Sequence, residues 1–416
     1  MEKIFAKDID QNTKKQFENC LSESYVLQGA LMPDAHLGYV APIGSVLITK
    51  GFIVPSWVGY DMGCGVTATK IMGKSLLPKV RKYSEAIFDE IKKEIPMGLG
   101  KLNAEHKVSK ETKKDFGNIL AKLEKQLSDK ELFKWIKRKS ISNLGTLGHG
   151  NHFIEIDYSK NEVWLVVHSG SRNIGHHTAE YFMIKAKEEA LLQNKKIKEK
   201  DYVGTTKTGF TGPIDNSEAK ENFEATYPLK ISSKIGKEYL AALDFCLEFA
   251  LLNRIEITKK VVLGIEKVLG EKINFSVWAN KNHNNAERIG KTDKFVHRKG
   301  ATPSKKGEKG VIPGNMRDGS YLVIGKGNKK FLNSSSHGAG RRMSKTQAKK
   351  EIKMEEFKRT MKGIKAIVEN GTIDESPFAY KNIFDVMKAQ KESVRIYKHL
   401  KPIINWKGTE NYPAKE

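Results

Sequence analysis

The sequence predicts a mixed α/β fold, because strand-like and helix-like patterns both occur along its 416 residues. Short runs rich in β-branched and aromatic residues predict strands at 42–49, 161–168 and 320–326. Apolar residues at steps of three and four predict helices at 79–95, 233–269 and 344–368. Chemically unusual segments are scattered over the whole chain, so we expect one continuous domain over residues 1–416.

The helix predictions rest on particular apolar residues. In the first helix they are Val80, Tyr83, Ile87, Ile91 and Ile95. In the second helix, for which we expect a break, the residues that recur at this spacing are Ile235, Tyr239, Leu243, Cys246, Phe249, Ala250 and Asn253. The third begins at Ser344 with a polar first turn. Residues 101–118 and the basic stretch 299–310 have few apolar side chains, which predicts two mobile loops.

The composition indicates a polyanionic partner. Lys+Arg number 73 and Asp+Glu 49, which gives a net charge of +24, and such a surplus favours phosphate neutralisation. The alternative is a lysine-rich proteome in which every protein is basic. Three cysteines do not make a disulfide scaffold and fit a reducing compartment. No apolar run approaches the ~18 residues of a membrane span, and we expect a cytoplasmic protein.

A glycine-rich turn at 58–65 places Asp61 and Cys64 three residues apart. Glycine permits the tight backbone that would aim both side chains at one point. A deprotonated cysteine can ligate one metal ion or bridge two. The alternative is a glycine turn with an incidental buried cysteine.

Two further segments combine histidine with glycine and serine. In 143–156, His149, Asn151, His152 and Glu155 surround the expected start of a strand, and the alternative for either histidine is a structural role. In 165–177, a buried strand ends at His168 and a small-residue turn with Arg172 follows, which predicts a metal ligand beside an anion site. His176 and His177 are expected to face solvent.

Three segments nearer the C-terminus add to this set. His283 is flanked by amides that could hold it by hydrogen bonds. Residues 311–320 contain a Pro-Gly-Asn turn with free N–H groups. His337 stands beside a Gly-Ala-Gly run and two arginines, where phosphate is attracted and where a histidine could attack phosphorus.

One cysteine, one aspartate and four histidines therefore lie in Gly, Ser or Asn settings along the chain. Thiolate, imidazole and carboxylate together fit a borderline metal such as Mn, Fe, Co or Zn. Their spacing matches no zinc ribbon or zinc finger.

These segments resemble the RtcB family of RNA-splicing ligases, in the family's order over nearly the whole chain. The matching blocks are MPDAHLGYVAPIGSVL (32–47), VGYDMGCGV (58–66), LGTLGHGNHFIEI (144–156), VVHSGSRNIG (166–175), NHNNAE (282–287), HRKGATP (297–303), VIPGNMRDGSY (311–321), SSSHGAGRRMSKTQAK (334–349) and the closing 375–408.

The resemblance implies a single-domain RtcB-like fold with central β-sheets surrounded by helices and a two-manganese site. It implies that the metal ligands are Asp61, Cys64, His152, His168 and His283, with Cys64 bridging both ions. It implies that His337 takes GMP from GTP. The implied guanylate contacts are Asn151, Phe153, Glu155, Pro313, Gly314, Asn315, Ser320, His337, Gly338, Ala339, Gly340 and Lys407. Glu155 and Lys407 are candidates for reading guanine, and Arg172 and Arg341 for binding RNA phosphate; Asp34 and His36 match without a definite role.

The implied activity is a GTP- and Mn-dependent RNA ligation in three steps. His337 attacks GTP and releases pyrophosphate, an RNA 3′-phosphate or opened 2′,3′-cyclic phosphate takes the GMP, and a 5′-hydroxyl end then expels it. An archease-like activator is a possible partner, and no membrane is expected. The rival enzyme is a phosphodiesterase or an end-capping enzyme that activates 3′-phosphates without sealing. A non-enzymatic RNA-binding module is the third alternative.

Three residues depart from the family's usual pattern. His149 replaces a small residue, Asn282 replaces a second histidine and Ser335 replaces a cysteine. None of these changes removes an implied catalytic residue. They suggest a divergent paralogue, either a dedicated RNA-repair enzyme or a tRNA-splicing one.

Overall fold

The site is built around an eight-stranded sheet, with a five-stranded sheet and two short ribbons. This computed structural model describes residues 2–98, 100–193 and 226–408. In these residues the strands are β1 Glu2–Ile4, β2 Val26–His36, β3 Ile43–Lys50, β4 Phe52–Ile53, β5 Gly65–Met72, β6 Phe153–Ser159, β7 Glu162–Ser169, β8 Leu229–Lys230, β9 Asn274–Asn282, β10 Asn284–Arg288, β11 Lys294–Lys299, β12 Ala301–Pro303, β13 Lys309–Pro313, β14 Ser320–Gly325, β15 Ser334–Ser336, β16 Lys365–Ala366 and β17 Val394–Lys407.

Helices surround these sheets, which confirms the predicted mixed α/β class. The helices are α1 Gln11–Leu21, α2 Pro55–Val58, α3 Leu76–Lys82, α4 Ser84–Glu94, α5 Lys110–Gln126, α6 Lys130–Ser140, α7 Arg172–Gln193, α8 Lys234–Leu269, α9 Lys345–Glu351, α10 Met354–Thr360 and α11 Ile383–Ala389. The predicted strands agree with β3, β7 and β14 to within a residue or two.

The large sheet has the order β13-β14-β17-β6-β7-β5-β9, with β16 beside β17. In it, β5 pairs antiparallel with both β7 and β9. The smaller sheet has the order β1-β2-β3-β11-β10. Because β9 runs almost directly into β10, the two sheets meet next to His283.

Helix α8 is the longest element and lies under the large sheet. It is one uninterrupted helix of 36 residues, so the expected break is wrong. Its apolar face continues through Ile257, Val261 and Ile265, all fully buried, and burial of that face keeps the helix continuous. The Ser233 side chain caps its first turn, and Gly270 in the left-handed conformation ends it.

Two other helix predictions are only partly correct. The predicted helix 79–95 is divided between α3 and α4, which are separated at Tyr83. The predicted helix 344–368 is divided between α9 and α10 and ends at Thr360. In each pair the two short helices pack on the same hydrophobic cluster, so a turn between them does not separate their buried faces.

The two predicted mobile loops are wrong. Residues 101–118 run into α5, where Thr112, Phe116, Ile119 and Leu123 are buried at helical spacing. In the segment 299–310, six of the twelve residues are strand, and 304–308 form the turn between β12 and β13. Lys299 lies in it with 7% of its surface exposed, and its Nζ donates to the Ser56 carbonyl at 3.3 Å. The high charge content of both segments led to the wrong prediction, because a few buried side chains are enough to order a segment that is otherwise polar.

Within the described residues, no helix combines the length and the apolar character needed to cross a bilayer.

The aromatic cluster beside α8 provides a test of the fold. Phe245 is buried and its ring lies 6.5 Å from that of Phe116 and 6.0 Å from that of Phe249. We expect Phe245→Ala to lower the free energy of unfolding by about 3–5 kcal/mol, because a large cavity remains. Urea unfolding measures this. Leu263→Ala, at a half-exposed position of the same helix, is the control and should cost much less; equal losses would contradict the described packing.

Candidate active site

Backbone conformation fixes the turn that carries Asp61 and Cys64. Gly63 has φ +75°, and a Cβ there would lie 2.9 Å from the Cys246 carbonyl oxygen, so the turn presses directly on α8. Cys64 then immediately precedes β5. The close contact explains why glycine is needed beside the thiol.

The five predicted metal ligands meet at the end of the large sheet. The Cys64 Sγ lies 3.4 Å from Nε2 of His152 and 3.2 Å from Nε2 of His168. Asp61 Oδ2 lies 3.1 Å from Nε2 of His152, and Nε2 of His283 lies 3.3 Å from Nε2 of His168. The thiol is therefore central, with an imidazole on either side of it.

The hydrogen bond of His168 leaves one ring nitrogen available for a metal. Its Nδ1 lies 3.1 Å from the Asn151 carbonyl oxygen, which accepts only from N–H, so Nδ1 carries the proton and Nε2 presents its lone pair toward Cys64. The His152 ring is held at both nitrogens, with Nδ1 3.1 Å from the Leu147 carbonyl oxygen and Nε2 facing Asp61 and Cys64.

Burial and neighbouring charges shift the pKa values of the same side chains. Burial lowers the pKa of His168 and His283 well below the usual value, so both rings are neutral. Burial would raise the pKa of Asp61, but His152 and Arg172 hold it below its usual range. Burial and the Asp61 charge raise the pKa of the Cys64 thiol, so a cation would be required to hold it as thiolate.

Next to this cluster lies His337, whose ring centroid is 4.9 Å from that of His283. Its Nδ1 lies 2.6 Å from Oδ2 of Asp34, a fully buried carboxylate. The same Oδ2 accepts the backbone N–H of His337 at 3.0 Å and of Gly338 at 3.2 Å. Asp34, for which no role was predicted from the sequence, thus holds the His337 loop and lies against Nδ1, which leaves Nε2 to face the cluster side.

The charge of Asp34 follows from this arrangement. Burial would raise the pKa of Asp34, but interaction with His337 lowers it below its usual value. His36 Nδ1 donates to the Asp34 backbone carbonyl at 2.9 Å, and burial lowers the pKa of His36 to about 4. His36 is thus a neutral neighbour of the pair.

The predicted guanine-reading residues form a second polar group on the large sheet. Glu155 is buried, and it accepts from Ser320 Oγ at 3.2 Å and from Asn405 Nδ2 at 2.5 Å. Burial raises its pKa. Lys407 Nζ lies 4.8 Å from the centre of the Phe153 ring. Phe153 in turn pairs with His168 across the strands, which links this group to the metal ligands.

A buried carboxylate, Glu375, organises the basic groups nearby. It lies 3.2 Å from Lys407 Nζ and 3.1 Å from Arg341 Nη1. Arg341 also donates to two carbonyl oxygens, those of Met343 and Asp374. Much of its guanidinium is therefore engaged by the protein itself.

The other predicted contacts surround His337. A Cβ on Gly338 would lie 3.1 Å from the Pro313 carbonyl oxygen, which brings the Pro-Gly-Asn turn against the histidine loop. Asn315 donates to Asp318 at 2.7 Å, and Gly314 N–H donates to the Gly319 carbonyl at 2.7 Å, closing that turn. The Nη1 atom of Arg172 lies 3.2 Å from His152 Nδ1.

His176 and His177 lie outside the cluster, as expected. Their rings stack on Tyr60 at 4.8 Å and on Trp135 at 3.9 Å.

Sequence reasoning missed two adjacent residues of α8, Asn253 and Arg254. Both are fully buried and hydrogen-bond to the loops that carry the histidines and the thiol. The available signal was an amide and a guanidinium inside an otherwise apolar helical pattern.

Taken together, the donors can hold a borderline divalent metal. Among the described residues, Cys64, His152 and His168 form the one group whose ligand atoms all lie within 4.8 Å of one another. Asp61 and His283 extend the group on either side. One sulfur, imidazole nitrogens and a carboxylate suit Mn, Fe, Co or Zn. The adjacent free nitrogen of His337 provides a nucleophile beside that metal position.

Comparison with known proteins agrees with this arrangement. A family model described as "tRNA-splicing ligase RtcB" matches residues 16–408. The chain is 30% identical to "RNA-splicing ligase RtcB" of Escherichia coli K12, over 96% of this chain and 95% of that protein. It is 28% identical to "tRNA-splicing ligase RtcB" of Nanoarchaeum equitans, over 94% and 90%. It is 27% identical to "RNA-splicing ligase RtcB homolog 1" of Entamoeba dispar, over 97% and 83%. The chain therefore belongs to the RtcB family of RNA-splicing ligases, a family of enzymes that act on RNA.

Proposed function

We propose that this chain is a GTP- and manganese-dependent RNA ligase. It would join RNA 3′-phosphate or 2′,3′-cyclic phosphate ends to 5′-hydroxyl ends, in RNA repair or tRNA splicing. The observation that carries the proposal is the position of His337, whose ring is 4.9 Å from that of His283 beside a thiol and imidazole cluster. We further propose that residues 1–416 act as one catalytic domain, because the site draws on residues from 34 to 407.

Five side chains would hold two manganese ions. The central position of Cys64 supports a bridging role, with Asp61 and His152 on one side and His168 and His283 on the other. Bound metal would withdraw charge from the α-phosphate of GTP.

His337 is the nucleophile of the first step. Its Nε2 forms a bond to the α-phosphorus of GTP while the bond to pyrophosphate breaks. Asp34 accepts from the Nδ1 side, so it holds the ring in position and stabilises the positive charge that the ring develops. The N–H groups of Ala339 and Gly340 are suited to hold phosphate oxygens, whereas that of Gly338 is bonded to Asp34.

The guanylate pocket would use the group around Glu155. A carboxylate can accept from N1–H and the 2-amino group of guanine, which adenine does not offer in that arrangement. Ser320 and Asn405 hold both oxygens of Glu155 in place. Lys407 lies over Phe153 on the same side, and Asn151, Pro313, Gly314 and Asn315 complete the proposed contacts.

The RNA ends complete the reaction. An oxygen of the RNA 3′-phosphate attacks the phosphorus bound to His337 and breaks the P–N bond, which frees the histidine. The 5′-hydroxyl oxygen then attacks the activated 3′-phosphate, and GMP leaves. Arg172 and Arg341 are the proposed phosphate contacts, and an archease-like protein is a proposed activator. An enzyme that stops at the activated 3′-end is the alternative, and consumption of 5′-hydroxyl ends separates the two.

A basic cavity provides a further place for the RNA strand. It has a volume of about 620 Å³ and is lined by Arg81, Lys362 and Lys401, with Tyr158 and Phe384 as aromatic faces. Phe384 has 54% of its surface exposed. Cations with an open aromatic ring suit single-stranded nucleic acid. We assign RNA binding to this cavity.

His337→Ala should reduce covalent labelling by α-labelled GTP to background, because the attacking nitrogen is lost. The manganese content should remain near that of the wild type, since His337 is not a proposed ligand. Electrophoresis of the denatured protein measures the label. His106→Ala, at an exposed histidine, is the control and should label normally; normal labelling of the His337 variant would exclude this nucleophile.

Cys64→Ala should lose bound manganese, because no neighbouring group can replace a bridging thiolate. Elemental analysis after gel filtration measures the metal per chain. The matched control is Cys20→Ala, which also removes a buried thiol but lies outside the cluster. Retention of two manganese ions by the Cys64 variant would contradict the proposed metal centre.

Replacement of Arg81, Lys362 and Lys401 by alanine should weaken RNA binding. Each lost phosphate contact lowers the log–log salt slope by about 0.7, so three would lower it by about 2. GTP labelling should be unaffected. The control replaces Lys114, Lys125 and Lys137, which are exposed on α5 and α6 and change the net charge equally. Equal effects of both triple variants would mean that only overall charge matters.

A further inference from the structure

The middle of α8 carries a guanidinium in a position where charge is costly. Arg254 is 0% exposed, and its hydrogen-bond acceptors in the described part of the chain are uncharged oxygens. Burying a cation without a directly bonded carboxylate is unfavourable unless its donors are well satisfied. A role that depends on the guanidinium would explain its presence.

Both terminal nitrogens of the Arg254 guanidinium donate hydrogen bonds to residues that adjoin a proposed metal ligand. Nη1 donates to the Gly63 carbonyl at 3.0 Å and to the Ser169 carbonyl at 2.8 Å. Nη2 donates to Asn282 Oδ1 at 2.6 Å. These three residues stand next to Cys64, His168 and His283 in the chain. One planar group therefore joins the three segments that converge on the cluster.

The neighbouring Asn253 extends the connection to the fourth segment. Its Nδ2 donates to Ser169 Oγ at 3.1 Å, and that hydroxyl donates to the Leu147 carbonyl at 2.9 Å. His152 Nδ1 lies 3.1 Å from the same Leu147 carbonyl oxygen. Asn253 Oδ1 also accepts from Gly145 N–H at 2.8 Å. Together the two α8 residues therefore connect all four segments.

Long-range charge also favours Arg254 at this place. Burial lowers the pKa of Arg254 to about 10, and the charges of Cys64 and Asp61 act in the opposite direction. The guanidinium thus remains charged at neutral pH and faces the anionic side of the cluster.

We propose that Arg254 is a positioning residue that sets the spacing of the Cys64, His168 and His283 segments for metal binding. Asn282, which stands where the family often has a second histidine, serves as its acceptor in this chain. Asn282 Nδ2 also donates to the Leu247 carbonyl at 3.3 Å, which fixes the orientation of that amide on α8. The inference rests on the proposed metal centre.

The test compares Arg254→Lys, Arg254→Met and Asn282→Ala with the wild-type chain. Manganese affinity is measured by titration, and the thiolate-to-cobalt charge-transfer absorption of the cobalt-loaded protein reports the ligand geometry. We expect manganese affinity to fall by about 10–100-fold in both Arg254 variants, as for residues that orient metal ligands. Arg254→Lys keeps the charge but cannot bond three segments at once, so it should fail to restore affinity.

Phe245→Ala is the matched control, because it destabilises the same helix at a ring that packs on Phe116 and Phe249. It should retain wild-type affinity and an unchanged cobalt spectrum. Wild-type affinity and spectrum in the Arg254 variants would overturn the positioning role. If those variants do not fold, Asn282→Ala decides, and unchanged affinity there overturns the proposal. Absence of manganese binding by the wild-type chain would overturn the metal centre itself, and this inference with it.

Discussion

The geometry of the site depends on the strand register at Gly65. On one side Gly65 pairs with Ser169 and on the other with Asn282. Cys64 precedes this point and His283 follows Asn282, while His168 pairs with the next residue along. A slip of one residue would turn these side chains to the opposite face of the sheet. A Cβ at Gly65 would lie 2.0 Å from the Lys281 carbonyl oxygen, so only glycine permits this close approach.

Two buried carboxylates near this register have charged partners. Asp34 is held by His337 and by two backbone N–H groups. Glu375 is held between Lys407 and Arg341. Such pairing is needed because an uncompensated buried charge costs several kcal/mol. These ion pairs also limit movement, because neither partner can move away without leaving the charge of the other buried and unpaired. The site is therefore prearranged before any substrate binds.

The sequence predicted the chemistry of the site better than its scaffold. Glycine, serine and asparagine around Asp61, Cys64 and His283 are a local signal, because tight turns and imidazole orientation require those residue types. The mixed fold class and three strands were also predictable from local patterns. The placement of these segments next to one another was implied by the family resemblance and not by spacing.

The errors have a common physical cause. The segment 101–118 was expected to be mobile, yet it starts α5 because residues beyond 118 complete its apolar face. Lys299 was assigned to a flexible loop, yet backbone carbonyls of distant segments hold its ammonium group. The polar pair Asn253 and Arg254 stood out in an apolar helix, but the acceptors of Arg254 could not be identified from the sequence, since they lie 26 to 191 residues away. Interactions of this kind exist only after the chain has folded, and no periodicity reveals them.

Helix α8 belongs at once to the large aromatic core, to the core beneath the sheet and to the ligand segments. Phe245 and Phe249 lie in the first core, Ile257 and Val261 in the second, and Arg254 stands between them. Local opening of the helix would therefore break both cores together. We therefore expect the backbone amides in its centre to be among the slowest in the described chain to exchange with solvent. The reactive centre would then be lost together with the packing of both cores.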